Sequence, residues 1–76
     1  MKKQTLYYSS PLDALIAVAK RLSVFEHQQK MASEEFFYQY NQGKLPDDAV
    51  FIEWANDYRH YLALHQELDH KLKHAA

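Results

Sequence analysis

The stretch from residue 47 to residue 73, DDAVFIEWANDYRHYLALHQELDHKLK, decides the fold. Its stripe runs Phe51, Trp54, Tyr58, Tyr61, His65, Leu68 and Leu72, in alternating steps of three and four. That spacing lays every member on one side of an α-helix and matches an a/d heptad seam. Leu62 and Leu64 widen the stripe. Asp47 suits the N-cap and Asp48 adds negative charge to the first turn, where the helix dipole favours it. Lys71, Lys73 and His74 suit the opposite end. The pattern predicts a single helix reaching about Lys73, roughly 27 residues and roughly 40 Å long.

Reading back towards the N-terminus, Lys44-Leu45-Pro46 is a connector. Before it, Asn41-Gln42-Gly43 closes a shorter helix, and Gly43, the only glycine, suits the left-handed position after a helix end. That helix starts at Met31-Ala32-Ser33-Glu34-Glu35, with Ala32 or Ser33 as cap and two acidic residues in the first turn. Phe36, Phe37 and Tyr40 form its apolar face. Further back, Ser10-Pro11-Leu12-Asp13 is another helix start. The serine hydroxyl caps an orphan N–H, and proline occupies a position where a missing N–H costs nothing. Leu12, Leu15, Ile16, Val18, Ala19, Leu22 and Phe25 then cover about half the circumference of a helix ending near Gln29. That stripe is wide enough to touch two neighbours. Ile52, Ala55 and Ala63, off the main stripe of the third helix, suit close packing of the short helix.

The expected fold is therefore all-α. Two long helices bracket a short one in a single helical domain over 10–76, preceded by an arm over 1–9. Within the arm, Thr5-Leu6-Tyr7-Tyr8 has strand-like composition but is too short to form a sheet alone. Short connections favour antiparallel neighbours. The first helix is about two-thirds as long as the third, so Leu68 and Leu72 are left uncovered in a lone chain. This favours a dimer of helical bundles or a heterologous partner at that end, and an extended parallel coiled coil is the alternative pairing.

Composition excludes several classes of function. Nine Lys+Arg against ten Asp+Glu lack the basic excess of a general nucleic-acid binder. The absence of Cys removes a disulfide scaffold, a cysteine zinc site and a thiol nucleophile. One Gly removes a glycine-rich phosphate loop. No apolar run is long enough to span a membrane, and no signal peptide or lipidation motif is visible, so cytoplasmic residence is the expectation. A chain of 76 residues buries only about 60% of its unfolded surface, a thin core that a partner would support.

No catalytic set stands out, since Ser9, Ser10, Ser23 and Ser33 all read as caps or helix-surface residues. Glu67, His70 and His74 have spacing seen in carboxylate-bridged metal bundles, but no second Glu-x-x-His faces them, and solvated polar residues are the preferred reading. No cofactor is expected. His65 reads as a partly buried histidine with one satisfied nitrogen. Glu53 and Asp57 form an acidic pair beside Trp54, more simply a solvated face. The aromatic load, one Trp, six Tyr and four Phe, exceeds what a thin core absorbs. Phe25, Phe36, Phe51 and Trp54 read as core, and Tyr7, Tyr8, Phe37, Tyr38 and Tyr61 as surplus of the kind enriched at protein interfaces.

The order of blocks adds a resemblance. Leu22-Ser23-Val24-Phe25-Glu26 is followed by Met31-Ala32-Ser33-Glu34-Glu35-Phe36, then Gly43-Lys44-Leu45-Pro46-Asp47-Asp48, then Phe51-Ile52-Glu53-Trp54-Ala55-Asn56-Asp57-Tyr58. Over residues 11–72 this resembles a family of small helical prokaryotic proteins, many of them TumA-like antitoxins. One departure is Gln28-Gln29-Lys30, where that family has an aromatic, and the arm has no counterpart. Glu26, Phe36, Asp48, Phe51, Glu53, Trp54 and Tyr58 match the family's characteristic positions. The resemblance implies a non-catalytic antitoxin that neutralises a TumE-like toxin. The expected partner surface is Glu53, Trp54, Tyr58, Tyr61, Leu64, Leu68 and Leu72. A self-assembling helical dimer with an adaptor role is the second reading. A DNA-binding autoregulator using the arm is a third, for which only Lys2 and Lys3 supply positive charge.

Overall fold

A computed structural model describes residues 10–75, with side chains described through residue 73. These residues form three helices: α1, Pro11–Gln29; α2, Ser33–Asn41; and α3, Ala49–Ala75. There is no strand among them, so the fold is all-α, with the short helix between two long ones. The arm over 1–9, with the surplus Tyr7 and Tyr8, lies outside the described residues.

α1 begins as its sequence predicts. Ser10 is extended, and its Oγ accepts the Asp13 N–H at 3.2 Å, while Pro11 opens the helix. At the other end Lys30 adopts the left-handed conformation, with φ 56°. The N–H groups of Lys30 and Met31 both reach back to the Glu26 carbonyl, the latter at 3.3 Å. This is the six-to-one closure of a Schellman ending, built on lysine rather than glycine.

α2 ends in the fuller version of the same device. Gly43, at φ 72°, donates to the Tyr40 carbonyl, and Lys44 donates to the Gln39 carbonyl, both at 3.1 Å. The start of α2 is different. Ala32 holds the cap position and has no side chain to offer. The Glu26 carboxylate of α1 accepts the Ser33 N–H instead, at 2.9 Å. A side chain from one helix therefore satisfies an orphan donor of the next, and the α1–α2 corner is fixed by that bond.

α3 starts one residue later than its sequence suggests. Asp48, not Asp47, holds the cap position, because its carbonyl accepts from both Phe51 and Ile52 at 3.0 Å. Asp48 accordingly lies outside the first turn, which contains no acidic residue. Either aspartate suits a cap. Leu45 anchored on the core, together with the register that buries Trp54, selects the second.

α1 and α3 run antiparallel. Phe25 meets Trp54, Arg21 pairs with Asp57, and Ala14 and Val18 pack on Leu64, so one helix descends as the other climbs. Two core clusters lie along this pair. The larger joins all three helices through Leu22, Phe36, Trp54, Ala55 and Tyr58. Here the Trp54 ring stacks on Phe36 with centroids 3.9 Å apart, and Phe25 lies nearly parallel to it at 5.6 Å. Phe36 also touches Tyr40 and Phe51 at 5.4 and 5.7 Å. Such ring pairs contribute about 0.5–1.5 kcal/mol each beyond the area they bury. The Trp54 Nε1–H donates to Ser33 Oγ at 2.9 Å inside this cluster, so the one polar atom of the ring is satisfied. The smaller cluster is Ala14, Val18 and Leu64, flanked by Leu15 and Tyr61, and involves only α1 and α3.

One packing expectation is corrected. Of Ile52, Ala55 and Ala63, only Ala55 is buried. α2 docks along Phe51, Trp54 and Tyr58, which leaves Ile52 beyond its edge and Ala63 past its end. No helix among the described residues is long and apolar enough to cross a membrane.

Candidate functional site

The site follows from unequal lengths. α2 has nine residues and α3 has 27, so α2 covers only the first turns of its neighbour. Two stripes continue beyond it. On α1 the stripe is Leu12, Leu15, Ala19, Leu22 and Glu26, and its Glu26 end lies under the start of α2. On α3 it is Tyr58, Tyr61, His65, Leu68 and Leu72, and its Tyr58 end packs on Phe37 of α2 with rings 4.9 Å apart. Between the stripes, on the side where α2 sits higher up, α1 and α3 present an open face.

Among the described residues that face is apolar and uncovered by any helix. Leu12 is 53% exposed and Leu72 72%. Leu15, Tyr61 and Leu68 are half-buried, and His65 is exposed beside Tyr61, with rings 5.9 Å apart. The exposure of Leu72 and partial exposure of Leu68 are what the shorter first helix predicts. His65, by contrast, is a solvent-facing member of the stripe rather than a partly buried one.

The expected surface is divided by the fold. Tyr61, Leu68 and Leu72 come together on the open face. Trp54, at 0% exposure, and Tyr58 and Leu64, each at 8%, are core and leave the candidate surface. The reason is local: α2 and α1 cover the heptad stripe through its first half, and Leu64 closes the smaller cluster. Glu53 is exposed but points elsewhere, one turn before Asp57. Asp57 is taken by Arg21 Nε of α1 at 3.2 Å, so the acidic pair beside Trp54 is not a free patch. Leu12 and Leu15 are absent from the expected surface. Their signal was present in the width of the α1 stripe, which touches one neighbour more than α1 actually has at that end.

At the upper end of the open face, where α2 begins, lies a cleft of about 160 Å³. α1 lines it with Ala19, Leu22, Ser23 and Glu26, α2 with Ser33 and Glu34, and α3 with Tyr58 and Tyr61. The Tyr58 hydroxyl is pushed above the ordinary tyrosine value of 10.0, first by burial, then by the negative charge of Glu34, by Tyr61 and by Glu26.

Other groups singled out by the sequence do not converge. Glu67 is drawn to Lys71 at 3.5 Å and Asp69 to Lys73 at 3.3 Å. Among the described residues no three His, Asp or Glu side chains form a set that would hold a metal. The His74 side chain lies outside the described residues. Phe37 is half-buried under the Arg59 guanidinium, 5.5 Å from its centroid, and Tyr38 is exposed on the far side of α2.

Among the described residues, fold and site together define a small all-α protein of three helices with an apolar face that none of the three covers. Comparison with protein-family models, curated proteins and solved structures finds no match to the chain.

Proposed function

We propose that the chain is a non-catalytic protein-interaction module, the antitoxin of a type II toxin–antitoxin pair, acting in the cytoplasm by binding and occluding its cognate toxin. The observation that carries the interaction reading is the open face: Leu12 and Leu72 exposed on two neighbouring helices, with Leu15, Tyr61 and Leu68 between them. Contiguous apolar surface on a small chain is the ordinary mark of a protein contact, and a third helix laid there would extend the three-helix packing along the full length of α3. The toxin as partner rests on the resemblance to TumA-like antitoxins. The non-catalytic part rests on how the interior polar groups are used. Glu26, Ser33 and Trp54 bond to one another across the three helices and hold them in place.

The test is co-expression with the product of the neighbouring reading frame. Growth arrest by the neighbour alone, relieved by this chain in a complex that co-purifies, is the expected outcome. A harmless neighbour that does not co-purify removes the antitoxin reading. The heptad spacing of Tyr61, His65, Leu68 and Leu72 favours a second reading, a homodimer that covers the same face with its own copy. Light scattering across a concentration series separates the two.

A further inference from the structure

The two long helices end at different levels. In their antiparallel register Arg21 lies beside Asp57, so ten residues down α1 and ten along α3 bring Pro11 level with Glu67. α3 then runs on through residues 68–75, roughly 12 Å past the start of α1. Half-buried Leu68 and exposed Leu72 lie on this overhang, and exposed Leu12 stands beside it at the foot of α1. The chain enters α1 at the same level, since Ser10 is the N-cap and its backbone is extended. The nine residues before it, MKKQTLYYS, lie outside the described residues. Three of them in succession, Leu6, Tyr7 and Tyr8, are large and apolar or aromatic. The sequence therefore delivers an apolar triplet next to the place where the apolar stripe of α3 outruns α1.

We infer that the chain's own segment Thr5-Leu6-Tyr7-Tyr8 docks on the foot of the open face, over Leu12, Leu68 and Leu72. The reach fits. Packed helix axes lie about 8–10 Å apart, a gap that about three residues of extended chain span. Counted back from Ser10, that crossing ends at Tyr7, with Leu6 and Tyr8 on either side of it. The order of residues fits as well. Ser9 and Ser10 begin the crossing, the apolar triplet arrives at the leucines, and Lys2, Lys3 and Gln4 come last, where they reach solvent. Tyrosine suits a shallow site, since its ring covers leucine while its hydroxyl stays in water. The tether favours this occupant over a separate one: a segment held a few residues from its site meets it at an effective concentration on the order of millimolar. The contact shields exposed leucines of the free chain, and a protein that takes the whole open face has to displace it.

The inference rests on reading the open face as a docking surface, and its test needs no partner. The chain has no cysteine, so Thr5→Cys in the full chain takes a single nitroxide label. Paramagnetic broadening of amide and methyl NMR signals is read against the same sample with the label reduced. Strong loss of signal is expected at Leu68 and Leu72, and little at His70, which is two positions from both leucines and so on the far side of α3. Leu6→Ser with Tyr8→Ser in the labelled chain abolishes the loss at Leu68 and Leu72. Both changes lie outside the three helices, and an unchanged circular dichroism spectrum checks that the fold is kept. Leu72→Ser is the reciprocal variant from the α3 side and weakens the broadening at Leu68. Loss confined to residues 10–12, equal loss at His70 and Leu72, or indifference to the Leu6→Ser and Tyr8→Ser pair overturns the inference. The same broadening in a mixture of spin-labelled chain and unlabelled, isotope-enriched chain assigns the contact to a second copy and also overturns it. If the broadening stands while the neighbouring product fails to co-purify, the antitoxin reading falls and the arm contact remains. If the complex forms and the free chain shows no broadening, the arm contact alone falls.

Discussion

The two halves of this molecule share two helices and differ by the third. Around Trp54, α1, α2 and α3 enclose a cluster of stacked rings, crossed by the bonds Glu26–Ser33 and Ser33–Trp54. Around Leu64, among the described residues, α1 and α3 meet over Ala14 and Val18, and no third helix covers their flank. The first half has what a stable core requires: large rings, satisfied polar atoms and neighbours on every side. The second is a helix pair, which buries one stripe per helix and leaves the flank exposed. A small chain arranged this way puts most of its packed core at one end and a flank of exposed apolar surface at the other.

The strongest way to break that comparison is to truncate one large residue in each half. Phe36→Ala removes a ring that touches Trp54, Tyr40 and Phe51 and costs about 3–5 kcal/mol. The whole chain has a stability of about 4–11 kcal/mol at ordinary values per residue, so this variant sits near the edge of unfolding. Leu64→Ala costs about 2 kcal/mol, the low end for such a truncation, because its site is open to relaxation on one side. Urea unfolding followed by circular dichroism compares them directly. Equal losses would mean that the two halves are energetically alike.

The polar thread through the aromatic half gives the next effect. Ser33→Ala leaves the Trp54 Nε1–H buried without an acceptor and costs about 1–3 kcal/mol. Trp54→Phe removes the donor together with part of the ring, and the double variant then loses less than the two singles combined. A double-mutant cycle with no coupling would show that the 2.9 Å bond contributes nothing of its own.

A smaller effect appears at alkaline pH. The Tyr58 hydroxyl titrates above its unfolded value of 10.0, so the folded state holds that proton more tightly than the unfolded chain does. Its contribution is complete below that value and is lost as pH rises through the folded titration. Stability is expected to fall across that range, and Tyr58→Phe is expected to flatten the fall. Tyrosinate absorbance and unfolding midpoints at stepped pH check both. A slope unchanged in Tyr58→Phe would assign the alkaline loss to the other tyrosines.

Much of the aromatic half is legible in the sequence. Ser10-Pro11 and Gly43 announce ends whose chemistry is local, and the 3-4 spacing from Phe51 onward announces the helix. What was not legible depends on meetings across the chain. Ala32 looks like a poor cap because its acceptor comes from Glu26 on another helix. Lys30 carries no glycine signal, although its backbone takes the conformation glycine favours. Asp57 reads as half of an acidic patch until Arg21, 36 positions away, is brought against it. The heptad stripe marks a face without saying how much of it is covered. Coverage is decided by the length and docking of α2, and for that reason Tyr58 and Leu64, with Trp54 that the sequence also marks as core, fall into the expected partner surface alongside Leu72.

The smallest effect on stability sharpens the comparison furthest. Leu12→Ser and Leu72→Ser change exposed residues of the open face, and each is expected to move the folding free energy by no more than about 0.5 kcal/mol. If the face is a binding surface, the same two changes lower association with the toxin, or with a second copy, far more than they lower stability. An apolar anchor at the centre of an interface costs about 2 kcal/mol or more when truncated, roughly a thirtyfold loss of affinity. Val24 is the control, since it is as exposed as Leu12 yet lies off the α1 stripe, and Val24→Ser is expected to leave both quantities unchanged. Pull-down of the neighbouring product and light scattering, measured beside urea midpoints, resolve the three variants. Equal behaviour of Val24→Ser and Leu12→Ser in binding would mean that position on the open face confers nothing beyond exposure, and the division of labour between the two halves would fail at its functional end.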